Sequence, residues 1–238
     1  MPAIVILKLK REVENMKNYS IFDVVGPRMI GPSSSHTAGA ARIAIAASKI
    51  AKGSIKEVKF YLHGSFAQTY KGHGTDKALV GGILGFSTED ERIRNSFEIA
   101  DQKGIKYEFI PTDLGDEFHP NTVKMIITKE DDSKVEIIGE SIGGGNIKIV
   151  GINGLDIEFT GEYYTLIVKQ WDMPGAAAHI TNCVAQNDVN IAFMRIYREE
   201  KGNNAFTIIE ADEPICQKAI DDIKSNTQLI QDAFVVSI

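Results

Sequence analysis

Hydrophobic and polar positions change rhythm several times along the chain, and those changes predict its elements. From Thr37 to Lys52 the run Thr-Ala-Gly-Ala-Ala-Arg-Ile-Ala-Ile-Ala-Ala-Ser-Lys-Ile-Ala-Lys has a helical pattern, with small side chains that permit close packing and Gly53 as a C-terminal cap. Ile55 to Leu62 alternates, with Val58, Phe60 and Leu62 on one face, and predicts a strand. Thr75 or Asp76 opens a second helix reaching Leu84, and Thr88 with Glu91 three residues on reads as a capping box for a third. Ile105 to Ile110 is a short strand. Val123 to Thr128 and Lys134 to Ile138 read as a hairpin around Glu130-Asp131-Asp132-Ser133, and Ile147 to Val150 with Leu155 to Thr160 as another, turned at Asn153-Gly154. This part predicts an α+β arrangement rather than a doubly wound parallel sheet.

After residue 161 the pattern is more regular. Thr165 to Gln170 is strand-like, Trp171-Asp172-Met173-Pro174-Gly175 a loop, and Ala176 to Gln186 helical. Ile191 to Tyr197 and Ala205 to Glu210 form a hairpin, Ile215 to Lys224 a helix, and Leu229 to Ser237 a last strand. The order βαββαβ in about 75 residues predicts a separate ferredoxin-like unit.

Composition narrows the function classes. The 238 residues, 43% hydrophobic and 24% charged, suit one large or two small globular domains. Twenty-six basic against 32 acidic residues, a net charge of −6, argue against nucleic acid or an anionic membrane as the main partner. No stretch approaches the roughly 18 apolar residues of a membrane span. The run Ala3-Ile4-Val5-Ile6-Leu7 is short and lacks a basic segment before it and a cleavage site after it, so a signal peptide is not expected. Two cysteines, Cys183 and Cys216, give no disulfide framework and fit a reducing, cytoplasmic setting. They also fall short of the three or four thiolates that an iron–sulfur cluster takes.

The densest chemistry is Gly31-Pro32-Ser33-Ser34-Ser35-His36-Thr37, directly ahead of the alanine-rich helix. A helix N-terminus presents unpaired N–H groups and partial positive charge, the hydroxyls add donors, and His36 titrates near neutrality. Capping alone needs one hydroxyl, so an anion or substrate site is favoured over a plain cap. A second cluster, His63-Gly64-Ser65 and Gly72-His73-Gly74-Thr75-Asp76, follows the strand that ends at Leu62. On spacing alone it stands even between a catalytic role and a glycine-rich connection between helices, and it makes no metal site. Asp172-Met173-Pro174-Gly175 stands equally between an ordinary βα loop and a turn whose N–H groups receive a small anion. Gly143-Gly144-Gly145 lacks dinucleotide spacing.

Tyr19-Ser20-Ile21-Phe22-Asp23-Val24-Val25-Gly26-Pro27, followed by Gly31-Pro32-Ser33-Ser34-Ser35-His36-Thr37-Ala38-Gly39, resembles the start of the iron–sulfur-dependent bacterial L-serine dehydratases. His63-Gly64-Ser65, Gly72-His73-Gly74-Thr75-Asp76 and Ser141-Ile142-Gly143-Gly144-Gly145 resemble further motifs of that family, and residues 163–238 resemble an ACT domain. The resemblance implies a beta domain over 19–160, related to the allosteric substrate-binding domain of some phosphoglycerate dehydrogenases. Residues 1–18 are left as an extension of unknown role. It also implies a partner alpha chain that holds a 4Fe-4S cluster, an active site where the two chains meet, and conversion of L-serine to pyruvate and ammonia. The iron would act as Lewis acid on the serine hydroxyl. Within that frame Ser33, Ser34 and Ser35 are assigned to the substrate carboxylate, with Thr37, Ser65 and Thr75 as further binding groups. His36, His63 and His73 are proton-transfer or hydrogen-bonding candidates, His73 first for proton transfer and His36 for orientation, with Asp76 as an orienter. Asp172, Pro174, Gly175 and Asn190 are expected to bind L-serine as effector at an ACT-mediated dimer interface. No metal ligand is assigned to this chain. The competing expectation is a non-catalytic regulatory protein that binds an amino acid through the ACT domain.

Overall fold

A computed structural model describes residues 28–237. The extension and the motif segment 19–27 lie outside the described residues.

The alanine-rich helix is α1 (Ala40–Ala51), but it does not begin at Thr37: Ser34–Gly39 ahead of it is a six-residue π-helical turn. β1 (Ile55–Leu62) leads into α2 (Gly64–His73) and α3 (Thr75–Ile83). Helix α2 is not legible in the hydrophobic pattern. Its glycines at 64 and 72 weaken helix propensity and it buries a single full side chain, Phe66. Gly74, at φ 69°, closes it: its N–H donates to Tyr70 O, and the left-handed residue redirects the chain into α3. The capping box does not form. Asp90, not Thr88, caps the 3₁₀ turn Glu91–Asn95 by accepting from the Arg92 N–H, while the Thr88 hydroxyl donates to Arg28 O. Helix α4 (Ser96–Gln102) follows.

β2 (Lys106–Pro111), β3 (Thr122–Lys129), β4 (Lys134–Gly143), β5 (Asn146–Ile152) and β6 (Leu155–Phe159) complete a six-stranded sheet in the order β2-β1-β3-β4-β5-β6. Only β1 and β2 pair in parallel. This is the α+β arrangement the pattern predicts. Asn153 and Gly154, at φ 51° and 78°, make the β5–β6 turn. Helices α1 and α3 pack on one another, with Ala40, Ala44, Ala47, Ala78 and Leu79 buried between helices and sheet.

The C-terminal part is β7 (Tyr164–Trp171), α5 (Ala176–Gln186), β8 (Phe193–Arg198), β9 (Asn204–Ala211), α6 (Gln217–Lys224) and β10 (Ile230–Val236). Its antiparallel sheet runs β10-β7-β9-β8, the ferredoxin-like order, with both helices on one face over Leu166, Val168 and Ile209. Its other face does not stand free. Ile167, Phe206, Ile208 and Val236 belong to the same buried cluster as Ile43 and Phe60 of the first part. That is why β9 is buried at nearly every position instead of alternating. The chain passes from one sheet to the other between Phe159 and Tyr164, yet the two share a core, so 163–238 is not an independent packing unit. Across the junction Lys52 pairs with Asp232 at 2.6 Å, and Lys224 of the C-terminal unit pairs with the same carboxylate at 2.9 Å. Among the described residues no helix is long and apolar enough to cross a membrane.

Candidate active site

The serine-rich segment divides its labour. Ser33, extended at φ −137°, is the cap: its Oγ accepts from the His36 N–H at 3.1 Å. Ser35 Oγ lies 3.0 Å from His36 Nδ1, and Ser33 Oγ lies 3.4 Å from the same nitrogen. Ser34 forms no side-chain hydrogen bond with the described residues, so its hydroxyl remains available to a ligand. Thr37 is buried and donates to His73 O at 3.1 Å, tying the turn to the end of α2.

His36 is the centre of the arrangement. Its Nε2 lies 2.9 Å from Ser65 Oγ on the first turn of α2. Its ring sits edge-on to Phe66 at 5.3 Å and beside the ring of His73 at 4.9 Å between centroids. Burial, and then the nearby His73 when charged, hold the His36 imidazole below its ordinary value. The shift favours the uncharged form of the His36 ring, which hydroxyls flank on both nitrogens. Among the described residues His73 Nδ1 and Thr75 Oγ1 are buried without a hydrogen-bond partner, a condition native proteins rarely leave unexplained.

His63 has no hydrogen bond or ring contact with His36 or His73 among the described residues. It stands at the N-terminal end of α2, a helix of ten residues or about 15 Å, with His73 at the other end. Its Nδ1 accepts from the Leu114 N–H at 3.1 Å and lies 3.6 Å from Asp113 Oδ1. Asp76 does not contact an imidazole either: its Oδ1 accepts from the Lys77 N–H, and burial pushes its carboxyl above the ordinary range. It does share a cavity of about 370 Å³ with His73, together with Gly31, Thr37, Lys71 and Arg94. Neither Lys71 nor Arg94 is marked by sequence spacing, because α2 and the 3₁₀ turn meet there only in the fold.

In the C-terminal unit Gly175, at φ 92°, caps α5, with open space where a side chain would project. The Gly202 N–H and the Arg198 guanidinium bind Asp172 Oδ2 at 2.8 and 2.9 Å and hold its carboxyl below the usual range. Pro174 and Asn190 are exposed. Asn190 lies beyond the far end of α5, whose 11 residues span about 16 Å, so one copy of the chain does not bring it to the Asp172–Gly175 loop. Cys183 is buried on α5 and Cys216 is exposed at the start of α6. Among the described residues no three His, Cys, Asp or Glu side chains are grouped to hold a metal ion.

The serine dehydratase beta chain family matches residues 20–108, the segment that contains the π-helical turn and α2. The L-serine dehydratase beta chain of Peptoniphilus asaccharolyticus is 46% identical over 202 residues, covering 85% of this chain and 91% of that one. The chain belongs to the serine dehydratase beta-chain family. A probable L-serine dehydratase beta chain of Bacillus subtilis (strain 168) is 42% identical over 216 residues, 91% of this chain and 97% of its own length. A D-3-phosphoglycerate dehydrogenase of Methanocaldococcus jannaschii is 24% identical over 191 residues, 80% of this chain but 35% of the longer protein. Membership places the buried turn and α2 within the segment that the family shares.

Proposed function

We propose that this chain is the beta subunit of an L-serine dehydratase, working with a separate alpha chain to convert L-serine to pyruvate and ammonia. The observation that carries the reading is the two-imidazole, multi-hydroxyl constellation that the π-helical turn (Ser34, Ser35, His36) forms with Ser65 and His73 of α2, in a member of this family. The Ser34 and Ser35 hydroxyls and the N-terminal end of the turn suit the substrate carboxylate. Lys71, Arg94 and Asp76 around the adjoining cavity offer charges of both signs to a zwitterion. His73, which lines that cavity, takes the α-proton; loss of the β-hydroxyl then leaves an enamine that hydrolyses to pyruvate and ammonia.

A 4Fe-4S cluster does not fit this chain's own residues. The two thiols lie in the ferredoxin-like unit, one of them buried, and neither adjoins the histidine pair. The cluster is therefore assigned to the alpha chain. Reconstitution with an alpha chain and assay of pyruvate is the direct test.

The effector reading is a second element. The open N-terminal end of α5 at Gly175 suits an amino-acid carboxylate, and the exposed Phe193 and Ile196 of edge strand β8 suit pairing of two copies. L-serine bound there would change affinity or assembly by roughly 5–150-fold. In calorimetry on the full chain Gly175→Asp is expected to abolish L-serine binding. Gly175→Asn, which carries the same left-handed strain without the charge, is expected to keep it. A full chain that releases no heat with millimolar L-serine removes the sensor.

A further inference from the structure

Gly39 ends the turn that carries His36, and its conformation does not explain it. At φ −59° and ψ −45° it is ordinary right-handed helix, where alanine is the better residue. The missing side chain serves a neighbour instead. A β-carbon on Gly39 would stand 2.0 Å from Ser141 Oγ and 2.8 Å from Ser141 Cβ. Ser141, on β4, is fully buried, and its hydroxyl has no hydrogen-bond partner among the described residues. A glycine inside a helix and an unpartnered buried hydroxyl are both unfavourable alone, and here they meet in one contact.

β4 makes a firm base for that contact. The Ser141 N–H donates to Asn121 O at 3.0 Å, and Ser141 stands opposite Ile147 of β5. A π-helical turn is rare and persists where its surroundings hold it, often at functional sites. This one is held at its entry by Ser33, at its middle by Thr37 bonded to His73 O, and at its exit by Ser141 against Gly39.

We propose that Ser141 is a positioning residue for His36: its side chain, seated on the bare Cα of Gly39, sets the depth of the π-helical turn and so the reach of His36 to Ser65 and His73. The proposal rests on the reading of this turn as the substrate site. Ser141 touches neither His36 nor the cavity beside His73. Its effect travels through the backbone of the turn.

The test is a double-mutant cycle of Gly39→Ala and Ser141→Gly in the full chain, read in two ways. The first is the pH titration of the His36 ring by NMR on the chain without partner or substrate, assigned by comparison with His36→Gln. The second is kcat in the complex with an alpha chain. In Gly39→Ala the added methyl lifts the turn off β4, the His36 titration moves up towards the ordinary imidazole value, and kcat falls on the order of 10²-fold, as about an ångström of misplacement costs. Adding Ser141→Gly makes room for the methyl and returns most of both. Should Gly39→Ala fail to unfold cooperatively, Ser141→Ala, which only slackens the contact, is expected to shift the His36 titration and lower kcat in the same direction. The proposal is overturned if Gly39→Ala titrates and turns over as the wild type does. It is equally overturned if the folded double variant is no better than Gly39→Ala, or if Ser141→Ala is indistinguishable from wild type. A complex without L-serine turnover would remove the proposed function, while the titration would still decide the geometry.

Discussion

Alanine in place of His73 is expected to lower kcat of the assembled enzyme by on the order of 10²–10⁴-fold, the usual worth of a general acid or base. His73 sits at the end of α2 and lines a cavity large enough for an amino acid. Hydroxyls on both sides, Ser35 at Nδ1 and Ser65 at Nε2, engage His36, which suits an orienting ring. His36→Ala is therefore expected to cost less in kcat than His73→Ala. Steady-state kinetics on both variants decide the order, and near-normal turnover in His73→Ala removes it as the base.

The second large effect is on substrate affinity. Each hydrogen bond to a charged carboxylate contributes about 1.5–3 kcal/mol, or roughly 10- to 150-fold in binding. Replacing Ser34 and Ser35 together by alanine is expected to raise KM for L-serine by at least one such factor while the chains still assemble. Ser33→Ala is the control, because its Oγ caps the turn by accepting from the His36 N–H. It should cost about 1 kcal/mol of stability as a lost cap and leave affinity largely unchanged. Equal KM for the double variant and the wild type would reduce the whole segment to a cap.

Much of the architecture is legible because alternation and helical period carry direct physical content. The βαββαβ order of the C-terminal unit, β1 with Val58, Phe60 and Leu62 inward, and the Asn153-Gly154 turn all follow from local pattern. What stays hidden depends on tertiary packing. No hydrophobic period signals a π-helical turn, so the pattern starts the helix at Thr37 and leaves the serines outside it. The glycines of α2 mask a helix that Phe66 and the docking of Ser65 against His36 hold in place. The Thr88/Glu91 spacing loses to Asp90, whose carboxylate reaches the Arg92 N–H and its guanidinium together. The second face of the C-terminal sheet cannot be assigned to the shared core from its own residues, since Phe206 and Ile208 look the same whether they face solvent, a partner or another sheet.

The candidate site is legible as motifs but not as a constellation. Three histidines look equivalent in sequence, yet the fold sets His36 against His73 and leaves His63 at the opposite end of α2, bound to the Leu114 N–H. Ser141 belongs to a motif that stands out in sequence, but its role rests on the approach of β4 to Gly39, which residues about a hundred positions apart cannot announce.

Pyruvate release from L-serine, measured anaerobically on this chain alone, on an alpha chain alone, and on the two together with iron assayed in each, tests the central claim most directly. Iron is expected only in preparations that contain the alpha chain, and pyruvate only from the pair. Iron and sulfide in this chain purified alone, or pyruvate formed by either chain without the other, would contradict it.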